Sequence, residues 1–109
     1  MKIAINFKGE RFEAEAVRVS GLGKFFGLMF RSKNTKNLLF EFDKPVSLSI
    51  HSLFCPRFLA VWLDNDKAID IKLVDNFKFN IKPAGKFTKL LELPVNSCNS
   101  KMINFLVGK

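Results

Sequence analysis

The feature that most constrains the fold of this chain is the alternation of polar and apolar residues along most of its length. Residues at every second position share one face of a β-strand, so alternation indicates strands with one buried face. The pattern occurs first at Ile3, Ile5 and Phe7, and it resumes over 12–16 after the turn residues 8–10. These two segments predict a β-hairpin.

Six further segments are apolar at every second position or throughout, which predicts about eight short strands in all. They are 38–42, 46–50, 58–63, 69–73, 77–81 and 87–93. The residues Asp43-Lys44-Pro45 are expected to separate the first two of these strands. The segment 58–63 is apolar at every position, which is typical of a central strand that is buried on both faces. We therefore expect a mainly β fold, a small antiparallel β-sandwich or barrel-like domain.

Three segments depart from alternation. Ser20 can cap a short helix, because the apolar residues that follow it recur at helical spacing up to Met29. Glycines within this segment make the predicted helix short and irregular. A short helical turn is also predicted within 102–105, and the polar tract 32–37 is predicted to be an exposed loop. The domain is thus expected to contain one short helix.

Length and cysteine content bound the class of protein. With 109 residues, of which 48% are hydrophobic, the chain fits a single domain spanning 1–109 with one core. It contains no run of about 18 apolar residues, as a membrane-spanning helix needs, and no signal peptide is recognisable at its start. Cys55 and Cys98 are expected to be buried free thiols, although one disulfide remains a possible alternative. These features predict a cytoplasmic protein.

The chain is basic, with 18 Lys and Arg residues against 10 Asp and Glu, a net charge of +8. This charge favours an anionic partner, such as nucleic acid, a membrane surface or a phosphorylated ligand. Compositional bias is the alternative: lysine greatly outnumbers arginine, and 13 phenylalanines occur with no tyrosine, as codons from an AT-rich genome would give. Both explanations remain open.

Several of the positive residues flank the predicted helix and the loop after it, namely Arg18, Lys24, Arg31, Lys33 and Lys36. We predict that Arg31 and His51 converge at the mouth of the barrel to bind an anionic ligand, with Lys24, Lys33 and Ser52 beside them. The alternative is that Arg31 pairs with an acidic neighbour.

A second segment, 77–82, combines aromatic and basic residues, as surfaces that bind single-stranded nucleic acid do. In a strand, however, Phe77 and Phe79 would lie on one face and Lys78 and Lys82 on the other. This arrangement favours a half-buried strand with its lysines in water over a surface on which bases stack.

Evidence for an enzyme is sparse. His51 and Cys55 could form a nucleophile pair or half of a metal site, but in a strand residues four apart lie about 13 Å apart. An intervening turn would be needed to bring the two side chains together. No phosphate-binding loop, zinc motif or nucleophile elbow is present, so we predict no catalytic residue, cofactor or metal.

Three segments, in this order, carry a resemblance to a known family. They are Gly27-Leu28-Met29-Phe30-Arg31, then Ile50-His51-Ser52-Leu53-Phe54 leading into Val61-Trp62-Leu63-Asp64, and Lys89-Leu90-Leu91-Glu92-Leu93-Pro94. Over about 16–108 the chain resembles the domain of unknown function 192 family, in particular its archaeal-type members. The resemblance implies a compact β fold and no particular activity.

The chain departs from this family at two positions. Pro56-Arg57-Phe58 stands where relatives have Pro-Leu-Asp or Pro-Ile-Asp, and the bacterial Met-Lys-Asn-Thr element is replaced by Ile50-His51-Ser52-Leu53. The resemblance therefore implies no function that needs that aspartate or asparagine.

Three functions follow from the sequence. The first is a non-enzymatic binding or interaction module for an anionic partner, which could be a nucleic acid. The alternatives are a small hydrolytic or ligand-modifying enzyme that uses His51 and Cys55, and a structural or assembly subunit.

Overall fold

A computed structural model of the chain describes residues 1–19, 31–52 and 54–108. Within these residues it contains seven strands and one helix. The elements are β1 (Lys2–Phe7), β2 (Glu10–Glu15), β3 (Val17–Arg18), β4 (Leu38–Val46), β5 (Phe58–Asp64), β6 (Lys67–Val74), β7 (Phe87–Pro94) and α1 (Ser100–Val107). The predicted mainly β fold with one short helix is confirmed. The helix predicted after Ser20, together with Lys24 and Gly27, Leu28, Met29 and Phe30, lies outside the described residues.

The predicted N-terminal hairpin is present. β1 and β2 pair antiparallel from Lys2↔Glu15 to Phe7↔Glu10. The two residues of the turn, Lys8 and Gly9, have φ values of 49° and 82°. A two-residue turn with positive φ at both positions matches the right-handed twist of the strands, and glycine adopts this conformation without a steric cost.

All seven strands form one sheet in the order β2-β1-β6-β5-β7-β4-β3. The central pairs are antiparallel, as predicted, whereas β1 pairs parallel with β6 and β3 pairs parallel with β4. The two outermost strands of this order, β2 and β3, are separated in the chain by Ala16 alone. Because one nearly continuous strand pairs with β1 through its first part and with β4 through its last, the sheet curls into a half-barrel.

The core lies on both faces of the sheet. Every residue from Phe58 to Leu63 in β5 is fully buried, which confirms the predicted central strand. Leu59, Val61 and Leu63 point to the face that α1 covers with Ile103 and Leu106. Phe58, Ala60 and Trp62 point to the opposite face, where they pack with residues of β4 and β7.

Two segments that connect strands, 47–57 and 75–86, cross this second face side by side. The sequence predicted strands at 46–50 and 77–81, and this is wrong: outside the named strands the described residues contain a single isolated bridge, between Ile50 and Ile81. Both isoleucines pack against the core, which explains the apolar spacing, but Phe77 and Asn80 at φ 59° and 53° interrupt the extended backbone.

The predicted break at Asp43-Lys44-Pro45 is also wrong. β4 continues through these residues to Val46, and only its register with β7 shifts, between Glu41 and Val46. A β-bulge of this kind accommodates a proline without ending the strand.

The register of the central strands brings several loops to one end of the sheet. Leu38 pairs with Glu92, and Phe58 pairs with both Pro94 and Val74. β4 and β5 therefore begin, and β6 and β7 end, at the same level. The described residues of 31–37, 51–52, 54–57, 75–80 and 95–99 all lie at this end, which we call the loop end. Among the described residues no helix has the length and hydrophobicity needed to cross a membrane.

Candidate binding surface at the loop end

Three phenylalanines at the loop end are exposed to solvent. Phe54, Phe77 and Phe79 are 55%, 59% and 67% accessible, and the rings of Phe54 and Phe77 meet edge to face with their centroids 5.9 Å apart. We call these three residues the aromatic surface. The prediction that Phe77 and Phe79 lie on the buried face of a strand is thus wrong. Large apolar side chains that cluster on a surface indicate a binding function.

The backbone at the aromatic surface is strained. Phe54 and Phe77 have φ values of 55° and 59°, in the left-handed region that bulky residues rarely adopt. Such a conformation costs on the order of 1–3 kcal/mol per residue and persists only where surrounding contacts enforce it. Strained residues of this kind concentrate at functional sites, so the contacts that hold them are informative.

Ser52 supplies these contacts. Its side chain is fully buried, and its hydroxyl donates to the carbonyl oxygen of Asp75 (2.6 Å) and accepts from the backbone N–H of Lys78 (2.7 Å). Its backbone N–H donates to the carbonyl of Lys78, and its carbonyl accepts from the N–H of Phe77. Ser52 was predicted to bind ligand, but its hydroxyl already has two protein partners and joins the two segments that carry the aromatic surface.

An ion pair also joins the segment before β5 to the segment after β6. The Nε atom of Arg57 lies 2.7 Å from a carboxylate oxygen of Asp75, and both side chains are exposed. An exposed pair of this kind contributes little to stability. It does occupy an acidic group that would otherwise repel an anion at the loop end.

Residues 31–37, which we call the basic loop, lie at the same end of the sheet, before β4. Arg31, Lys33 and Lys36 are exposed within it, as predicted for the tract 32–37. Arg31 contacts the hydroxyl of Thr35 at 3.5 Å, at the limit of a hydrogen bond.

Three asparagines fix the basic loop to the rest of the domain. Asn99, which is buried, donates through its side-chain amide to the side chain of Asn37 (2.7 Å) and to the carbonyl of Pro94 (2.8 Å). Asn96 donates to the carbonyl of Lys33 at 2.7 Å. These bonds hold the backbone of a loop whose lysine side chains are exposed.

The predicted ligand-binding residues are brought to one end of the sheet but belong to two loops. Arg31 and Lys33 lie on the basic loop, whereas half-buried His51 and buried Ser52 lie on the segment before β5. The strands that follow these loops, β4 and β5, are two places apart in the sheet, which corresponds to about 10 Å. Lys24 lies outside the described residues.

The charges at the loop end are unbalanced. Arg31, Lys33, Lys36 and Lys78 are exposed, and none of them forms an ion pair with another residue in the described parts of the chain. Asp75, in contrast, is neutralised by Arg57. The first turn of α1, which begins at the same end, contains no acidic residue.

The cysteines differ in environment. Both are free, as expected, but the prediction that both are buried is wrong, because Cys98 is exposed. Burial, with a smaller contribution from the charge of Glu92, raises the pKa of the Cys55 thiol from 9.0 to about 11. A nucleophilic cysteine needs the opposite shift, because its reactive form is the thiolate. No group of three or more potential metal ligands occurs among the residues that the structure describes.

A cleft of about 600 Å³ borders the basic loop. Its wall combines the loop with the junction of β2 and β3 and with the residues before α1, including Lys36, Asn37, Cys98 and Asn99. Three asparagines in this wall, Asn37, Asn96 and Asn99, use their side chains to bond the protein itself, so these groups are not free for a ligand.

Comparison with known proteins supports the fold. No protein-family model matches the chain, and no curated protein matches it. A crystal structure of a protein of unknown function from Novosphingobium aromaticivorans DSM 12444 is similar, with a TM-score of 0.68 and 17% sequence identity over 93% of this chain and 76% of that one. At this identity the similarity concerns the fold alone.

Proposed function

We propose that the protein is a non-enzymatic binding module that holds an anionic partner at the loop end. The observation that carries this proposal is the set of four exposed cations, Arg31, Lys33, Lys36 and Lys78, which have no acidic partner among the described residues. Their position on loops at one end of the sheet gives this end an excess of positive charge, which attracts anions.

The attachment of these loops supports the proposal. Asn99 fixes the basic loop and Ser52 fixes the segment that carries Lys78, each through buried or partly buried hydrogen bonds. A surface that is ordered before binding loses little conformational entropy when the partner arrives. Lysines on freely moving loops would lack this advantage.

The alternative of an enzyme that uses His51 and Cys55 receives less support. The raised pKa of Cys55 leaves very little thiolate at neutral pH, and the thiol itself is buried. Imidazole assistance would have to overcome both effects before the sulfur could attack a substrate.

Salt-dependent binding of polyanions tests the proposal. Inorganic polyphosphate, a single-stranded oligonucleotide and vesicles containing anionic lipid serve as probes, because the partner is unidentified. If four cations contact a single-stranded polyanion, the logarithm of the association constant should fall with the logarithm of salt concentration with a slope of about −3. No binding of any probe at low salt would refute the proposal.

Charge variants at the two ends of the sheet provide the matched control. The double variant Lys33→Gln, Lys36→Gln removes two loop-end charges, whereas Lys67→Gln, Lys86→Gln removes two exposed charges near the opposite end. The first variant should flatten the salt slope by about 1.4, at about 0.7 per contact. Equal loss of affinity in both variants would show that net charge, rather than the loop end, governs binding.

We further propose that the chain belongs to the domain of unknown function 192 family and acts in the cytoplasm. The order of the three motif segments and the mainly β fold support the family assignment. An exposed free thiol at Cys98 supports a reducing compartment, where such thiols persist.

A further inference from the structure

We infer that the anionic partner is a single-stranded nucleic acid, whose bases stack on the aromatic surface while its phosphates contact the neighbouring cations. This inference rests on the proposed function and adds the chemical class of the partner.

The rings of the aromatic surface are accessible to a ligand. Phe77 and Phe79 are each more than half exposed, and Phe54 supports one side of Phe77 through its edge-to-face contact. Flat apolar rings that are held in place offer a platform to any nucleobase, because every base has a π-face. In a duplex the bases are already stacked on one another, so the platform selects single strands.

Positive charge accompanies the rings at the loop end. Lys78 lies between Phe77 and Phe79 in the chain, and it is exposed without an ionic partner among the described residues. The basic loop adds Arg31, Lys33 and Lys36 at the same end of the sheet. A single strand presents rings and phosphates in close alternation, so a surface that combines both complements it.

Hydrogen bonds from Ser52 hold the segment that carries Phe77. The fully buried Ser52 hydroxyl bonds the backbone on both sides of Phe77, at Asp75 and at Lys78. This contact holds Phe77 at a positive φ that isolated phenylalanine disfavours. Because its backbone is held in this way, the ring of Phe77 projects into solvent from a fixed point, as stacking requires.

Leucine substitutions separate stacking from general hydrophobic contact. The double variant Phe77→Leu, Phe79→Leu keeps apolar side chains but removes both π-faces. Phe105→Leu is the matched control, because Phe105 is 53% exposed on α1, outside the aromatic surface. All three proteins are checked for folding by thermal unfolding before binding is measured.

The binding measurement is fluorescence anisotropy at fixed salt, with three labelled probes of equal charge. These are a mixed-sequence single-stranded DNA of about 12 nucleotides, within the range that small single-strand-binding domains cover, a DNA duplex and inorganic polyphosphate. We expect the single strand to bind tightest. The leucine pair should weaken its binding about tenfold or more, leave polyphosphate binding unchanged, and exceed the effect of Phe105→Leu.

The outcomes distinguish the two proposals. Binding of polyphosphate and single-stranded DNA with equal affinity, unaffected by the leucine pair, would overturn the nucleic-acid inference and leave the binding function intact. Tighter binding of anionic lipid vesicles than of single-stranded DNA would overturn the nucleic-acid inference in favour of a membrane partner. Self-association that the leucine pair preserves would overturn it in favour of a protein partner. Failure of every probe to bind would refute the proposed function itself.

Discussion

Replacing Ser52 by alanine tests whether this residue organises the loop end or contacts the partner. Its hydroxyl makes two hydrogen bonds, to the carbonyl of Asp75 and from the N–H of Lys78, and its side chain is fully buried. Alanine fits the same space but leaves both backbone groups without their partner.

The expected cost follows from these two groups. A buried polar group that loses its hydrogen-bond partner costs about 1–3 kcal/mol, and less where water can reach it. Because Asp75 and Lys78 are exposed residues, water can replace part of the loss. We therefore expect the free energy of unfolding to fall by about 2 kcal/mol for the pair of bonds. For a domain of this size that corresponds to a decrease in Tm of about 8 °C, at about 4 °C per kcal/mol.

The assay is urea unfolding followed by tryptophan fluorescence. Trp62 is the single tryptophan, no tyrosine is present, and its side chain is fully buried, so the signal reports one core position. Ser49→Ala is the control, since Ser49 is exposed on the same connecting segment and should change stability little. If Ser52→Ala unfolds like the wild type yet loses affinity for polyanions, Ser52 contacts the partner and the structural interpretation is refuted.

Two further predictions concern the cysteines and the attachment of the basic loop. Cys98 should react at once with a thiol reagent, and Cys55 only as the protein unfolds. Because the folded pKa of Cys55 lies near 11, above its ordinary 9.0, the unfolded chain loses this proton first, so stability should fall as pH rises from about 9 through 11. Cys55→Ala should lessen that fall. An equally steep fall in this variant would show that the Cys55 thiol is not its cause. Asn99→Ala should lower stability by about 1–3 kcal/mol, since it removes buried bonds to Asn37 and Pro94, and should weaken polyanion binding. Asn104→Ala, on the exposed face of α1, is its control, and an equal effect of both would contradict the role of Asn99.

The central part of the fold could be predicted from the sequence because buried strand positions there are occupied by apolar residues at regular spacing. The uninterrupted apolar segment 58–63 predicted β5 as a central strand, and the alternation on either side of residues 8–10 predicted the β1–β2 hairpin. The short helical turn predicted at 102–105 lies within α1, where Ile103 and Leu106 are buried and Asn104 and Phe105 are exposed.

The connecting segments could not be predicted, for a physical reason. Ile50 and Ile81 pack on the core at the alternate spacing of a strand, but they belong to segments that cross the sheet rather than join it. The apolar spacing records contact with the core and does not record the backbone conformation. The positive φ of Phe77, which turns its ring outward, depends on hydrogen bonds to Ser52, which lies far away in the sequence.

The basic loop of the candidate site could be predicted from the sequence, whereas the aromatic surface could not. The positive charge of the basic loop is evident from the residues Arg31 and Lys33, and the polarity of the loop predicted its exposure to solvent. The phenylalanines and lysines of 77–82 suggested a nucleic-acid surface, but their alternation predicted that Phe77 and Phe79 lie on the buried face of a strand. Phe54 carried no signal, because its proximity to Phe77 arises only from the folded arrangement of two distant segments.

Backbone amide chemical shifts, recorded while a short single-stranded oligonucleotide is added to the ¹⁵N-labelled protein, test the location of binding most directly. The predicted result is that shifts concentrate in 31–37, 51–57 and 75–80, with little change in the turn 64–67 at the opposite end of the sheet. Shifts spread evenly over all exposed lysines, or centred on the turn, would contradict a binding surface at the loop end.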